Sequence, residues 1–196
     1  FYEAVRPGEA AGFPSLGARG CFLSHLGVLD EAQAQGARSV LILEDDLNFD
    51  SDFGERIHVV TAALARSRWS IFYGGYSIAG AVPPAAGEPI APIAAAQAVS
   101  CTHFVAFRGE ALRLLPAYLR AILGRAPGDP AGGPMHVDGA YSRFRHDHPE
   151  LETVIALPEL GHQRASRTDI HALRWYDHWP VVRDGVAWIR KLKNAA

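Results

Sequence analysis

A single α/β domain with a mostly parallel sheet flanked by helices is the fold class that this sequence predicts. Three observations predict it. Val40-Leu41-Ile42-Leu43 is an apolar run of strand length that contains β-branched residues. Further runs of that kind alternate with segments whose apolar residues recur at helical spacing, the order that builds parallel sheets with helical crossovers. Neither a repeat nor a linker divides the 196 residues, and with 48% hydrophobic and 20% charged residues they suffice for one core.

Residues 1–19 hold Pro7, Gly8, Gly12, Pro14 and Gly17 and read as loop. A helix is expected from about Gly20 to Gln35, with Phe22, Leu23, Leu26 and Leu29 on one face and Gly36 as its stop. The strand 39–43 then runs into Glu44-Asp45-Asp46. Asp50 or Ser51 caps a second helix reaching about Arg66, striped by Ile57, Val60 and Leu64. Trp69 to Tyr73 reads as a short strand ended by Gly74-Gly75, and 77–96, rich in Ala, Pro and Gly, as a long loop. A strand over about 98–107 carries Val99, Phe104, Val105 and Phe107. Gly109 introduces a helix with Leu112, Leu115, Leu119 and Ile122 on its apolar side. After the Gly- and Pro-broken stretch 124–135, a short helix over about 138–147 turns Tyr141 and Phe144 inward, and a strand over 152–157 ends at Pro158. Residues 1–170 thus form the domain. The tail 171–196 carries Trp175, Trp179 and Trp188 and is expected to pack on it.

Glu44, Asp45 and Asp46 sit where a buried strand leaves the core, since unpaired buried carboxylates are too costly. In an open α/β sheet that edge binds ligands. Three mutually repelling carboxylates call for a cation, and an all-oxygen set favours a hard one, Mg²⁺ or Mn²⁺. A solvated acidic turn is the plain alternative. Gly20-Cys21-Phe22-Leu23-Ser24-His25 puts Ser24 and His25 in the first turns of a helix, where backbone N–H groups favour anions. A donor phosphate or sugar fits there, and so does a polar helix start with no ligand. His136-Val137-Asp138 opens a helix out of a Gly/Pro loop, so Asp138 fits an N-cap and equally a general base. The segment from Leu160 to Ile170 is polar and lies beside a strand end, which by itself describes a solvated loop. Ser100-Cys101-Thr102-His103 interrupts an apolar strand, where His103 reads as a hydrogen-bonded structural histidine. Cys21 and Cys101 lie in apolar contexts and read as free thiols of a reducing compartment, with a disulfide between them as the alternative.

Several classes are excluded. The net charge is −2, from 19 basic and 21 acidic residues, without the basic face of a nucleic-acid binder. No apolar run is long enough to cross a bilayer, and no signal peptide is visible. His136, His146, His148, His162, His171 and His178 crowd the C-terminal third, but none forms a His-Glu-x-x-His pair and no paired-Cys motif exists, so a dedicated zinc site is not expected. The Walker loop, the Gly-x-Ser-x-Gly elbow and the Gly-x-Gly-x-x-Gly fingerprint are absent.

Taken in order, the segments Gly20–His25, Leu43–Asp46, Val137-Asp138-Gly139 and Gln163–Ile170 resemble glycosyltransferase family 25, the family of lipopolysaccharide, lipooligosaccharide and procollagen galactosyltransferases. Thr168 stands where the family usually has Ser and keeps the hydroxyl. The resemblance covers about 18 to 170. It implies a GT-A-like (Rossmann-like) fold and transfer of a sugar, usually galactose from a UDP-sugar, with inversion and with Mn²⁺ or another divalent cation. The acceptor would be an oligosaccharide or lipid-linked glycan in lipopolysaccharide or cell-surface glycan biosynthesis. In this reading Asp46, Glu44 and Asp45 hold the metal and Asp138 is the catalytic base. Ser24 and His25 contact the donor, and Gln163, Ser166 and Asp169 line the donor site or complete the metal shell. A catalytically inactive nucleotide-sugar or glycan-binding relative is the alternative, and a metal-dependent phosphohydrolase is a further rival that would want a further nucleophile or metal cluster, which the sequence does not show. Family members usually begin with a strand and an Arg-containing turn. This chain opens on Phe1 rather than Met and is read as starting inside a longer protein or after processing, with Phe1-Tyr2-Glu3-Ala4-Val5 looking like the end of the next strand. The expected location is cytoplasmic. Trp179, Val182, Val186 and Ile189, followed by Arg190-Lys191-Leu192-Lys193, could give a peripheral contact with the inner membrane, against a helix docked on the domain.

Overall fold

The computed structural model describes residues 1–79 and 87–164. Its elements are α1 (Leu16–Ala34), β1 (Ser39–Leu43), β2 (Leu47–Phe49), α2 (Phe53–Arg66), β3 (Ile71–Ile78), β4 (Ile90–Ile93), β5 (Val99–Arg108), α3 (Glu110–Leu123), α4 (Val137–Asp147), β6 (Thr153–Ala156) and β7 (Gly161–Gln163). The tail 171–196, its tryptophans and its membrane-facing alternative lie outside the described residues, as do Ser166 and Asp169.

Helix α1 begins four residues earlier than its apolar stripe suggests. Ser15 caps it by accepting the Ala18 N–H at 3.0 Å, and Gly36 ends it with φ +65°. The cap of α2 is at Asp52, beside the expected Asp50 or Ser51. Residues 1–5 form no strand, contrary to expectation; the Val5 N–H goes to the Ser24 hydroxyl rather than to a neighbouring strand. Within α3, Pro116 has no N–H for the Leu112 carbonyl, and Gln33 of α1 donates to that carbonyl at 2.8 Å. A proline that would otherwise leave an orphan acceptor thereby fastens two helices.

The main sheet has the order β1-β5-β3-β6-β4, with the pair β2-β7 forming a second, small sheet. The expectation of a mostly parallel sheet is corrected. Only β3 and β6 pair in parallel, while β1–β5, β3–β5 and β4–β6 are antiparallel. The reason lies in the connections. Parallel neighbours need a crossover, usually helical, and between β3 and β5 the described residues hold β4 and no helix. The stretch 77–96, expected as loop, contains the end of β3 and all of β4. What survives is a mixed α/β sheet in which β1, β3 and β6 run in one direction.

Side-chain alternation covers both faces of this sheet. Ile71, Tyr73, Val105, Phe107 and Ile155 join Phe22, Leu29, Leu115, Leu119, Tyr141 and Phe144 in the larger core, beneath α1, α3 and α4. Phe72, Phe104, Ala106, Val154 and Ala156 join Val60 of α2 on the other face. Arg145 of α4 is fully buried. Its guanidinium donates to Thr153 Oγ1 (3.0 Å) and to the carbonyls of Gln97 and Ala94 (2.8 Å each), and it lies over the Tyr73 ring.

Gly74-Gly75 does not end β3, as the sequence suggests, but bends it. The pairing with β5 shifts at Tyr73/Gly75 and again at Gly75/Ser77. A Cβ at Gly74 would lie 2.7 Å from the Phe104 ring, and one at Gly75 would collide with His103 Nε2 and the Gly161 carbonyl. Gly75→Ala is therefore expected to destabilise the fold by about 1–3 kcal/mol, read as a lower urea midpoint at unchanged slope.

Candidate active site

The codirectional strands β1, β3 and β6 end at one edge of the sheet, and the acidic cluster lies there. Glu44 follows β1 directly, and its N–H donates to the His103 carbonyl of β5 at 3.0 Å. Its side chain is turned inward: Oε1 accepts from Thr102 Oγ1 at 2.5 Å and stands 3.2 Å from His25 Nε2. His25 Nδ1 in turn meets the Tyr141 hydroxyl at 2.9 Å. A buried polar rail thus runs from α4 through α1 to the end of β1. Burial works to raise the Glu44 pKa, yet the hydrogen bond and charge of His25, with Thr102, leave it below the ordinary 4.5.

The sign of this shift makes a prediction. A carboxylate held below its unfolded value stabilises the fold above the unfolded pKa and ceases to do so as pH falls through the folded one. Thr102→Val removes a donor to the ionised form. The Glu44 pKa is then expected to rise, and acid unfolding to begin at higher pH, as carboxyl NMR titration and melting below about pH 5 would read.

Asp46 is organised differently. It is 8% exposed, Gln163 Nε2 donates to its Oδ2 at 2.8 Å, and its Oδ1 has no hydrogen-bond partner. Burial, with the nearby charges of Glu44 and Asp45, raises its pKa against the opposing Gln163 bond. The small sheet makes this geometry: Leu47 pairs with Gln163, and the Arg164 N–H donates to the Asp46 carbonyl at 2.7 Å. The acidic segment and the polar segment 160–164, more than a hundred residues apart, are thereby joined. Asp45 is exposed.

The remaining candidates fall as follows. Both directions of the Ser24 hydroxyl are taken within the chain, donating to the Gly20 carbonyl (2.7 Å) and accepting the Val5 N–H (2.8 Å). His25 is 4% exposed and faces Glu44 and Tyr141. Asp138 is not the N-cap, a position held by His136; it sits in the first turn of α4. Its Oδ1 accepts from its neighbour Gly139 N–H at 2.7 Å and its Oδ2 from Cys101 N–H at 3.4 Å. Both cysteines are free. His103 is buried, with Nε2 3.3 Å from the Gly161 carbonyl and Nδ1 without a partner.

Thr102 and Tyr141 are the participants that sequence reasoning missed. The signal for Thr102 was present as the polar interruption of an apolar strand. Cys101 adopts φ +71° inside β5, and the irregular pairing there accompanies the contacts of Thr102 with Glu44 and of His103 with Gly161.

In α/β sheets an edge such as the one carrying these carboxylates is where ligands bind. Sequence comparisons find a partial family match. Residues 10–76 match the model of glycosyltransferase family 25 (LPS biosynthesis protein). The stretch holds α1, β1 and all three carboxylates. Inactive glycosyltransferase 25 family member 3 of Homo sapiens is 36% identical over 58 residues, 29% of this chain and 10% of that protein. A glycosyltransferase 25 family member of Aedes aegypti is 36% identical over 62 residues, 31% of this chain and 10% of that protein. The matched part of the chain thus spans a tenth of these relatives' length. No helix among the described residues is long and apolar enough to cross a membrane.

Proposed function

We propose that this chain transfers a sugar, galactose from a UDP-sugar, to a hydroxyl of an oligosaccharide or lipid-linked glycan, with inversion, in cell-surface glycan biosynthesis, and that its sheet is of the GT-A-like kind. The observation that carries the reading is the orphaned, buried Asp46 Oδ1 among neighbouring carboxylates, inside the family 25 segment. An unsatisfied carboxylate oxygen in a negative field fits a hard cation. Asp46, with exposed Asp45 beside it, would hold Mn²⁺ or Mg²⁺, and such an ion supplies Lewis-acid stabilisation of a leaving diphosphate.

The chain's own groups have separate tasks. Gln163 fixes Asp46 through Oδ2 and leaves Oδ1 without a partner. His25 and Thr102 keep Glu44 ionised, which holds the turn that presents Asp46. Asp138 accepts the proton of the attacking acceptor hydroxyl at a carboxylate oxygen, its charge steadied by the first turn of α4. Asp138→Asn is expected to lower transfer by on the order of 10²–10⁴-fold at unchanged melting midpoint.

A donor screen with Mn²⁺ and purified protein tests the reading. Slow hydrolysis of one UDP-sugar without acceptor supports the transferase. The names of the human, rat and bovine relatives, each given as inactive or probably inactive, favour a second reading, a donor-binding domain without turnover. Thermal stabilisation by a UDP-sugar with no hydrolysis would select that one.

A further inference from the structure

We propose a second metal site, for a borderline-soft ion of the Zn²⁺ class, formed by Cys21, His25 and Glu44. One ligand atom from each residue lies within 4.8 Å of the others. Cys21 and His25 are four apart on α1 and share a helix face. Glu44 comes to them from the end of β1. Sulfur, imidazole and carboxylate are a ligand set for zinc rather than for Mn²⁺ or Mg²⁺, which prefer oxygen. The site is therefore chemically distinct from Asp46.

The geometry is close to what such an ion needs. Bond lengths of about 2.0–2.3 Å in a tetrahedron put donor atoms roughly 3.3–3.8 Å apart. His25 Nε2 and Glu44 Oε1 stand 3.2 Å apart, and the widest spacing in the group closes with about 1 Å of side-chain movement. The outer partners are already in place. Tyr141 holds His25 Nδ1, and Thr102 holds Glu44, the arrangement that orients metal-ligating side chains. Cys21 and Glu44 are each partly exposed.

The proton changes are defined. Without metal, His25 Nε2 lies against Glu44 and Nδ1 against the Tyr141 hydroxyl. On binding, Nε2 turns its lone pair to the ion, Nδ1–H donates to the Tyr141 oxygen, and the Cys21 thiol loses its proton to solvent. Three protein ligands leave the fourth position open. Burial, with the charges of Glu44, Asp138 and Asp46, raises the Cys21 pKa, so the free thiol stays protonated and an ion must displace its proton on binding.

Titration of the whole chain with Co²⁺ tests this independently of sugar transfer, since the optical signature of cobalt–thiolate needs no turnover. The wild type is expected to develop thiolate-to-cobalt charge-transfer absorption, reversed by excess Zn²⁺. The Cys101→Ser protein is expected to keep it and Cys21→Ser to lose it, while both melt cooperatively without metal. Tyr141→Phe should weaken Co²⁺ binding about 10–100-fold. Absence of the band in the wild type, its survival in Cys21→Ser, or its loss in Cys101→Ser overturns the proposal. A positive band in a protein without UDP-sugar hydrolysis would uphold this site while the transferase reading fails.

Discussion

Sugar transfer by Asp46→Asn is expected to fall by on the order of 10²–10³-fold, while the variant melts at the wild-type temperature or above it. The two halves of this expectation share one cause. Asp46 is buried among carboxylates, and its folded pKa lies above its ordinary 3.8. A carboxyl shifted in that direction costs least below the unfolded pKa and opposes folding increasingly as pH rises through the folded one. Asparagine has no charge to bury, and its amide oxygen still accepts from Gln163. The melting difference between variant and wild type should therefore grow from about pH 4 toward neutrality. Wild-type turnover by Asp46→Asn would remove the metal assignment. Loss of cooperative melting would instead show that Asp46 is needed for the β2–β7 junction.

Arg145→Met is expected to cost about 3 kcal/mol, which lowers the melting midpoint by roughly 10 °C in a chain of this size. Methionine approximates the aliphatic stem but strands the carbonyls of Ala94 and Gln97 and the Thr153 hydroxyl, all now served by the guanidinium. These partners lie before β5 and in β6, while Arg145 belongs to α4, so the loss loosens the helix that carries Asp138 and Tyr141. Arg145→Lys should recover part of the stability but not all, because one ammonium cannot reach three acceptors in the planar fork's geometry.

Element positions were largely legible because they depend on local pattern. The strand 39–43 matches β1, and Leu112, Leu115, Leu119 and Ile122 are all buried on α3. Strand direction was not legible, because it depends on whether a connection holds a helix, and Ile90–Ile93 lies in a stretch whose Pro and Gly content masks a short strand. The same division holds at the site. Glu44, Asp46, His25 and Gln163 were visible as residue types in a family order. Their partners were not: the Glu44–Thr102 and His25–Tyr141 contacts join residues 58 and 116 positions apart. The proximity of Cys21, His25 and Glu44 escaped the same way, since Glu44 comes from a different element than the i, i+4 pair on α1.

The Gly74-Gly75 kink has a further meaning for how this sheet is encoded. Before it, the odd-numbered residues Ile71 and Tyr73 face the larger core; after it, the even-numbered Tyr76 and Ile78 do. The strand changes phase in mid-course, and the two glycines are where the count is reset. Inserting or deleting one residue at this point would reassign every side chain beyond it to the opposite face, though no apolar residue had been altered. The sheet edge that carries Glu44 and Asp46 is thus protected less by the identity of its neighbours than by a fixed number of residues through the kink.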